Sequence, residues 1–258
     1  MSPASRPRGR GFSVALIGPD GAGKTTVARL LPGRLPLPVS YVYMGVAVES
    51  SSHLLPTTRL AARLKHRRGR AGASTVTSDP TATGRPPSRG RSGGGARRTA
   101  RRLRAPVLGA LKLGNRVAEE WYRQLIVWRD VRAGRVVVLD RHFTIDFHAA
   151  DVRDPDRTLR RRLHGWLLTH AYPRPDLVLY LDAPAAVLLA RKGEGTIESR
   201  DRRRAEYLEA GALVPAFEIL DATRPLEDVV SDAADRIATF ATERRGWTSL
   251  AGRDRSAA

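Results

Sequence analysis

The residues with the clearest chemical potential are Gly18-Pro19-Asp20-Gly21-Ala22-Gly23-Lys24-Thr25. They satisfy G-x-x-x-x-G-K-[ST], and they follow an apolar run and open a helical one, as a phosphate-binding turn must. The glycines let backbone N–H groups turn inward on phosphate oxygens, and the helix N-terminus adds its partial positive charge. Lys24 would neutralise the outer phosphates, and the Thr25 hydroxyl, beside Thr26, would serve as a Mg²⁺ ligand. A second pair, Asp140-Arg141, closes the apolar run 136–139. Alone it reads equally well as a strand ending in a capping Asp and a solvated Arg. Downstream of the glycine turn, at the carboxyl end of a parallel strand, the carboxylate faces the metal–phosphate zone.

Those residues need elements to hold them. Apolar runs at 12–17, 39–44, 135–140, 177–182 and 213–220 read as five strands. Helical patterns fall between them: 24–31, ended by Pro32-Gly33; 106–132, with Val117, Trp121, Leu125 and Trp128 at 3–4 spacing; 157–171; one opening at Pro184; and 227–244. Continuously apolar strands alternating with helices imply a parallel sheet covered on both faces. The expectation is a three-layer α/β fold in one domain, spanning 11–245 between a basic tail (1–10) and a C-terminal tail (246–258).

Composition narrows the classes. The chain has 258 residues, no Cys and 41% hydrophobic side chains, so a disulfide scaffold, a thiolate metal site and a cysteine nucleophile are excluded. No apolar run approaches a membrane span, and no signal peptide is evident, which points to the cytoplasm. Formal charge is +19, but residues 59–104 carry fourteen Arg/Lys against Asp79 alone, a net of +13. Arg6, Arg8 and Arg10 account for three more, leaving +3 for the remainder. The Gly/Ser/Pro/Arg-rich stretch at about 67–104 reads as a disordered basic insertion. It holds no aromatic residue to stack on bases, which argues against nucleic acid as the partner.

With GPDGAGKTT (18–26), RAGRVVVLDRH (132–142), PDLVLYLDAP (175–184), RRRAEYL (202–208) and ILDATRPLEDV (219–229) in order, the chain resembles the thymidylate kinases among the P-loop nucleoside monophosphate kinases. The resemblance covers roughly 11–48 and 106–245. It implies a P-loop kinase fold, ATP and Mg²⁺ as cofactors, a small-molecule phosphate acceptor such as a nucleoside monophosphate, and a homodimer through the long helix bearing Trp121 and Trp128. Those Trp residues fit an intrachain core equally well. By the same resemblance Asp20 meets the acceptor or its metal, Asp140 positions the acceptor phosphate and Mg²⁺, and Arg141 clamps that phosphate. With Ala22 where some members carry an Arg, Arg191, Arg200, Arg203 and Arg204 become the lid donors to the transferring phosphoryl group. The loop 221–224 would hold adenine through Ala222 and Thr223, and Asn115-Arg116 resembles an acceptor-holding pair.

Other positions depart from the family. Tyr43-Met44-Gly45 replaces a charged turn, and Ile145 and Ala150 stand near the places of its base-reading Ser and Gln. Asp146 and His148 instead set polar groups beside the acceptor site. A nucleoside, sugar or other small acceptor is therefore the alternative substrate, and a nucleotide-dependent nucleic-acid module the alternative class. Asp182 reads as the cap of the helix at Pro184.

Overall fold

The computed structural model describes residues 9–45, 94–193 and 195–247. Residues 1–8, 46–93 and 248–258, which hold the basic tail, most of the basic insertion and most of the C-terminal tail, lie outside the described residues. The chain divides into two compact units, 1–53 with 120–258, and 54–119. In the first, β1 (Phe12–Ile17), β2 (Val39–Tyr43), β3 (Val136–Asp140), β4 (Leu177–Asp182) and β5 (Phe217–Asp221) form one parallel sheet in the order β2-β3-β1-β4-β5.

Strand side chains alternate between two cores. Phe12, Val14, Leu16, Val136, Val138, Leu177, Leu179 and Leu181 pack with α1 (Lys24–Arg34) and α7 (Leu226–Arg245). Ala15, Ile17, Val137, Leu139, Val178 and Tyr180 meet the other face. There they pack with Val127 of α2 (Gly94–Arg132), Leu168 of α4 (Leu159–His170) and Tyr207 of α6 (Ile197–Gly211). Most of these strand residues are wholly buried, each stabilising the fold by about 1.5–3 kcal/mol. Between β3 and α4 run a single turn, α3 (Phe143–Asp146), and a π-helical segment, His148–Arg153. The short α5 (Ala185–Lys192) follows β4.

Several boundaries differ from the sequence reading. Helix α1 runs past Pro32 to Arg34: the bond Pro32 cannot donate would go to Ala28, and the last turn forgoes it while Leu35 N–H reaches Leu31 O at 3.0 Å. Helix α2 begins at Gly94 rather than Pro106, so 94–104, expected in the insertion, has a helical backbone; its Ala, Arg and Leu favour that state. Strand β5 starts at Phe217 rather than Leu213. Trp247, beyond the expected limit at 245, is buried and donates Nε1–H to Arg10 O at 3.1 Å. Among the described residues no helix is long and apolar enough to cross a membrane.

Candidate functional site

The connection after β1 covers one face of the sheet and the connection after β3 the other. Between such strands a crevice opens at their carboxyl ends, where open α/β sheets hold ligands. A cleft of about 370 Å³ lies there, lined by Asp20, Arg141, Ser199, Arg200, Arg203 and Tyr207 among others.

The glycine turn forms its floor. Gly18 has φ 146, and a Cβ on it would sit 2.5 Å from Leu181 O, so only glycine allows the turn to lie this close to β4. Gly23, at φ 88, is the left-handed residue just before α1. A Cβ there would meet no atom within 4 Å: the turn faces open space at the helix N-terminus. Lys24 is buried, and its Nζ donates to Gly18 O (2.6 Å) and Pro19 O (2.7 Å), 3.8 Å from Asp20 Oδ1. Burial lowers its pKa to about 8, the Arg141 charge adding to the effect while Asp20, Asp146 and Asp140 oppose it. Thr25 is half-buried and Thr26 exposed on the first turn of α1.

Asp140 ends β3 fully buried. Tyr41 on the neighbouring strand donates its hydroxyl to Oδ2 at 2.9 Å, and burial with the Asp140 charge pushes that phenol up to about 12. The other oxygen, Oδ1, is buried with no hydrogen-bond partner, a costly state for a carboxylate that no cation satisfies. Arg141 continues the ladder through N–H to Leu16 O (3.0 Å) at φ 73, left-handed for a non-glycine residue. Such strain costs about 1–3 kcal/mol and concentrates at functional sites. It aims Nη2 at Asp20 Oδ1, 2.8 Å away. Burial raises the Asp20 pKa, but the Arg141 bond with the Lys24, Arg141 and Lys192 charges outweighs it and holds the carboxyl at about 2.

Helix α6 forms the opposite wall, capped by Thr196 and Ser199 in a reciprocal box. Of the expected Arg donors, Arg200 and Arg203 line the cleft, whereas Arg191 and Arg204 do not. Arg200 is buried and donates Nη1 to Asp20 O. Arg203 donates to Asp146 O (3.0 Å) and Glu206 (2.8 Å), with its guanidinium carbon 4.7 Å from the centre of the Tyr207 ring. Arg204 is held bidentate by Asp182, both bonds 2.8 Å, and Arg191 donates to Ala222 O at 2.9 Å. The Ala222 amide in turn donates to Asp182 O (2.8 Å), while Thr223 N–H and hydroxyl both bond Asp221 Oδ1 (2.9 and 2.6 Å). Asp182 therefore does not cap the helix after it, whose N-cap Pro184 receives no side-chain bond. Its carboxylate is occupied by Arg204, which lowers its pKa, and by Tyr180.

Asp146 and His148 part company. Asp146 Oδ1 accepts from the Tyr207 hydroxyl at 2.8 Å, beside the cleft, and burial raises its pKa against the Tyr207 bond and the Arg141, Lys24 and Arg203 charges. His148 instead lines a separate cavity of about 30 Å³ with Ile145 and Leu168. Asn115 and Arg116 belong to the second unit. Trp121 packs intrachain, 5.3 Å from Tyr172 and 5.7 Å from Trp128. Sequence reasoning missed Tyr41 and Tyr207. The i, i+3, i+4, i+7 spacing of Arg200, Arg203, Arg204 and Tyr207 was the available signal for the latter. No protein-family model matches the chain.

Proposed function

We propose that the chain is an ATP- and Mg²⁺-dependent phosphotransferase of the thymidylate kinase kind, moving the ATP γ-phosphoryl group to a small acceptor seated between Arg141 and α6. The sequence resemblance nominates a nucleoside monophosphate as that acceptor. The observation that carries the reading is the glycine turn opening onto free space, with buried Lys24 beside it. The unpartnered Asp140 oxygen at the end of β3 lies within Coulombic reach of that lysine.

Phosphoryl transfer offers the protein little covalent chemistry, so its residues act by alignment and charge. The amides of Gly21–Thr25 would cradle the polyphosphate, and Lys24 would exchange its two carbonyl partners for phosphate oxygens. Thr25 and the unpartnered oxygen of Asp140 would hold a Mg²⁺ ion. When bound, that ion neutralises charge on the β- and γ-phosphate oxygens. Arg200, which donates to the Asp20 carbonyl on the glycine turn, would serve as a donor to the transferring group. By the sequence resemblance, Ala222 and Thr223 would hold adenine.

Lys24→Ala should cut ATP-dependent transfer by at least about 10²-fold with the circular-dichroism spectrum of the folded protein retained. Transfer at the wild-type rate in that variant would refute the reading. A second reading, the same chemistry on a hydroxyl acceptor, is favoured by the Asp146–Tyr207 pair beside the cleft.

A further inference from the structure

Resting on the phosphotransfer reading, with Asp140 as a metal ligand, we infer that Tyr41 is a positioning residue of the cation site. By engaging one carboxylate oxygen of Asp140 it leaves the other alone for the cation, which favours Mg²⁺ over Ca²⁺.

The sheet brings the two side chains together. Strands β2 and β3 run parallel with Tyr41 opposite Val138, so Asp140 lies two positions further towards the carboxyl end. Alternate strand residues share a face. On this face Val136, Val138 and Tyr41 pack in the core that α1 covers. The same helix opens with Lys24 and Thr25, and the Asp140 charge acts on Lys24. A tyrosine is long enough to cross the diagonal, and its hydroxyl donates to Asp140 Oδ2 at 2.9 Å.

The sense of that bond is fixed by a third group. The Arg29 guanidinium of α1 stands against the same hydroxyl. A guanidinium only donates, and a phenol carries a single proton, so the Tyr41 proton is left for Asp140. Asp140 is wholly buried, where little water competes for the bond.

The result is an asymmetric carboxylate. Oδ2 is engaged, whereas Oδ1 is buried with no hydrogen-bond partner among the described residues. A buried carboxylate oxygen left in that state is costly until a donor or a cation meets it. The two common hard divalent cations differ in what they ask of such a group. Mg²⁺ demands a compact octahedral shell and is usually held by one or two carboxylates together with phosphates and water. Ca²⁺ takes about six to eight oxygens and readily accepts a carboxylate through both. With Oδ2 committed to Tyr41, Asp140 suits the first ion and denies the second a two-oxygen grip. Tyr41→Phe keeps the ring in its place and releases Oδ2.

The test uses the full chain without acceptor and measures ATP binding by calorimetry in EDTA, in Mg²⁺ and in Ca²⁺. Wild type should bind ATP more tightly with Mg²⁺ than with Ca²⁺. Outer partners of metal ligands are worth about 10–100-fold in metal affinity, so Tyr41→Phe should weaken Mg²⁺-dependent binding by that factor. Binding in EDTA should stay within about twofold, because the lost hydroxyl touches the carboxylate and not the glycine turn. Binding with Ca²⁺ should fall less or rise, so the Mg²⁺/Ca²⁺ ratio narrows. Asp140→Asn should remove most of the gain from either cation, and Tyr41→Phe added to it should change nothing further.

A Mg²⁺/Ca²⁺ ratio unchanged in Tyr41→Phe overturns the inference. So do equal losses in Mg²⁺, Ca²⁺ and EDTA, the mark of a tyrosine that only supports the fold, and so does additivity in the double variant. Wild-type protein that binds ATP as tightly with Ca²⁺ as with Mg²⁺ also overturns it, a comparison that needs no variant to fold. If wild type binds ATP but gains nothing from Mg²⁺, nucleotide binding stands and the role of Tyr41 falls. Wild type that binds no ATP under any of the three conditions removes the phosphotransfer reading itself, and this inference with it.

Discussion

Lys24 carries a charge that its surroundings make conditional. Buried and facing Arg141, it titrates near 8 rather than at its ordinary value of 10.5. Only its protonated form neutralises a polyphosphate, and a bound anion favours that form. ATP affinity should therefore be full below pH 8 and fall by up to about tenfold per pH unit above it, until the higher pKa of the complex is reached. Calorimetric titrations between pH 7 and 9.5 check this, and Lys24→Met should flatten the profile. The two glycines flanking the turn separate fold from function at the same scale. Gly18→Ala forces a Cβ against Leu181 O at 2.5 Å and should lower Tm sharply. Gly23→Ala meets no protein atom, so its cost is the left-handed backbone alone, about 1–2 kcal/mol. Its methyl group nevertheless enters the space the anion would use. Thermal unfolding should rank Gly18→Ala as the worse variant, whereas ATP affinity measured on folded protein should fall in Gly23→Ala beyond what its stability loss explains.

Among the elements, α6 is placed by one bidentate pair. Arg204 grips Asp182 at the end of β4, and that grip fixes the helix from which Arg200 and Arg203 face the cleft. Arg204→Ala should cost about 1–2 kcal/mol and reduce transfer through misplaced neighbours, and Arg200→Ala, which also removes a buried hydrogen bond, should lower both transfer and Tm. The Arg204 bond holds the Asp182 pKa below its ordinary 3.8, so the pair stabilises the fold above that pH and loses its effect as pH falls through the lowered value. Asp182→Asn should therefore lower Tm at neutral pH, and the gap to wild type should narrow as pH falls through the lowered value. The sequence revealed β1 and β4 at their observed bounds because both are apolar runs, broken only by Ser13, that Gly18 or Asp182 closes. It misplaced the start of β5, since Leu213 and Val214 look like strand residues although they follow α6 in a turn. The partners of Asp182, Arg191 and Arg204 were illegible in the sequence for a common reason. Residue type proclaims charge, but the partner that consumes the charge lies on another element, and neither the Arg204–Asp182 nor the Arg191–Ala222 pairing leaves a trace in local spacing.

For the molecule as a whole, charge distribution separates the catalytic reading from the nucleic-acid one. The chain carries +19, but +13 of it falls within 59–104, and the sheet, the glycine turn and α6 lie in the other compact unit. Polyanion binding driven by counterion release scales with the number of cations engaged, the salt slope changing by about 0.9 per phosphate contact on duplex DNA. Removing 70–93 deletes Arg70, Arg85, Arg89 and Arg91. If duplex DNA binds through this arm, the slope of log K against log salt should shrink by up to about 4, with no dependence on sequence because no aromatic or base-reading pattern accompanies the arginines. ATP-dependent transfer should meanwhile stay within about twofold, since the residues named above as lining the cleft all lie outside the deleted segment. DNA affinity with an unchanged salt slope would relocate the contact away from the arm. A collapse of transfer would make this segment part of the acceptor site, and the two outcomes are read from the same deletion in separate assays.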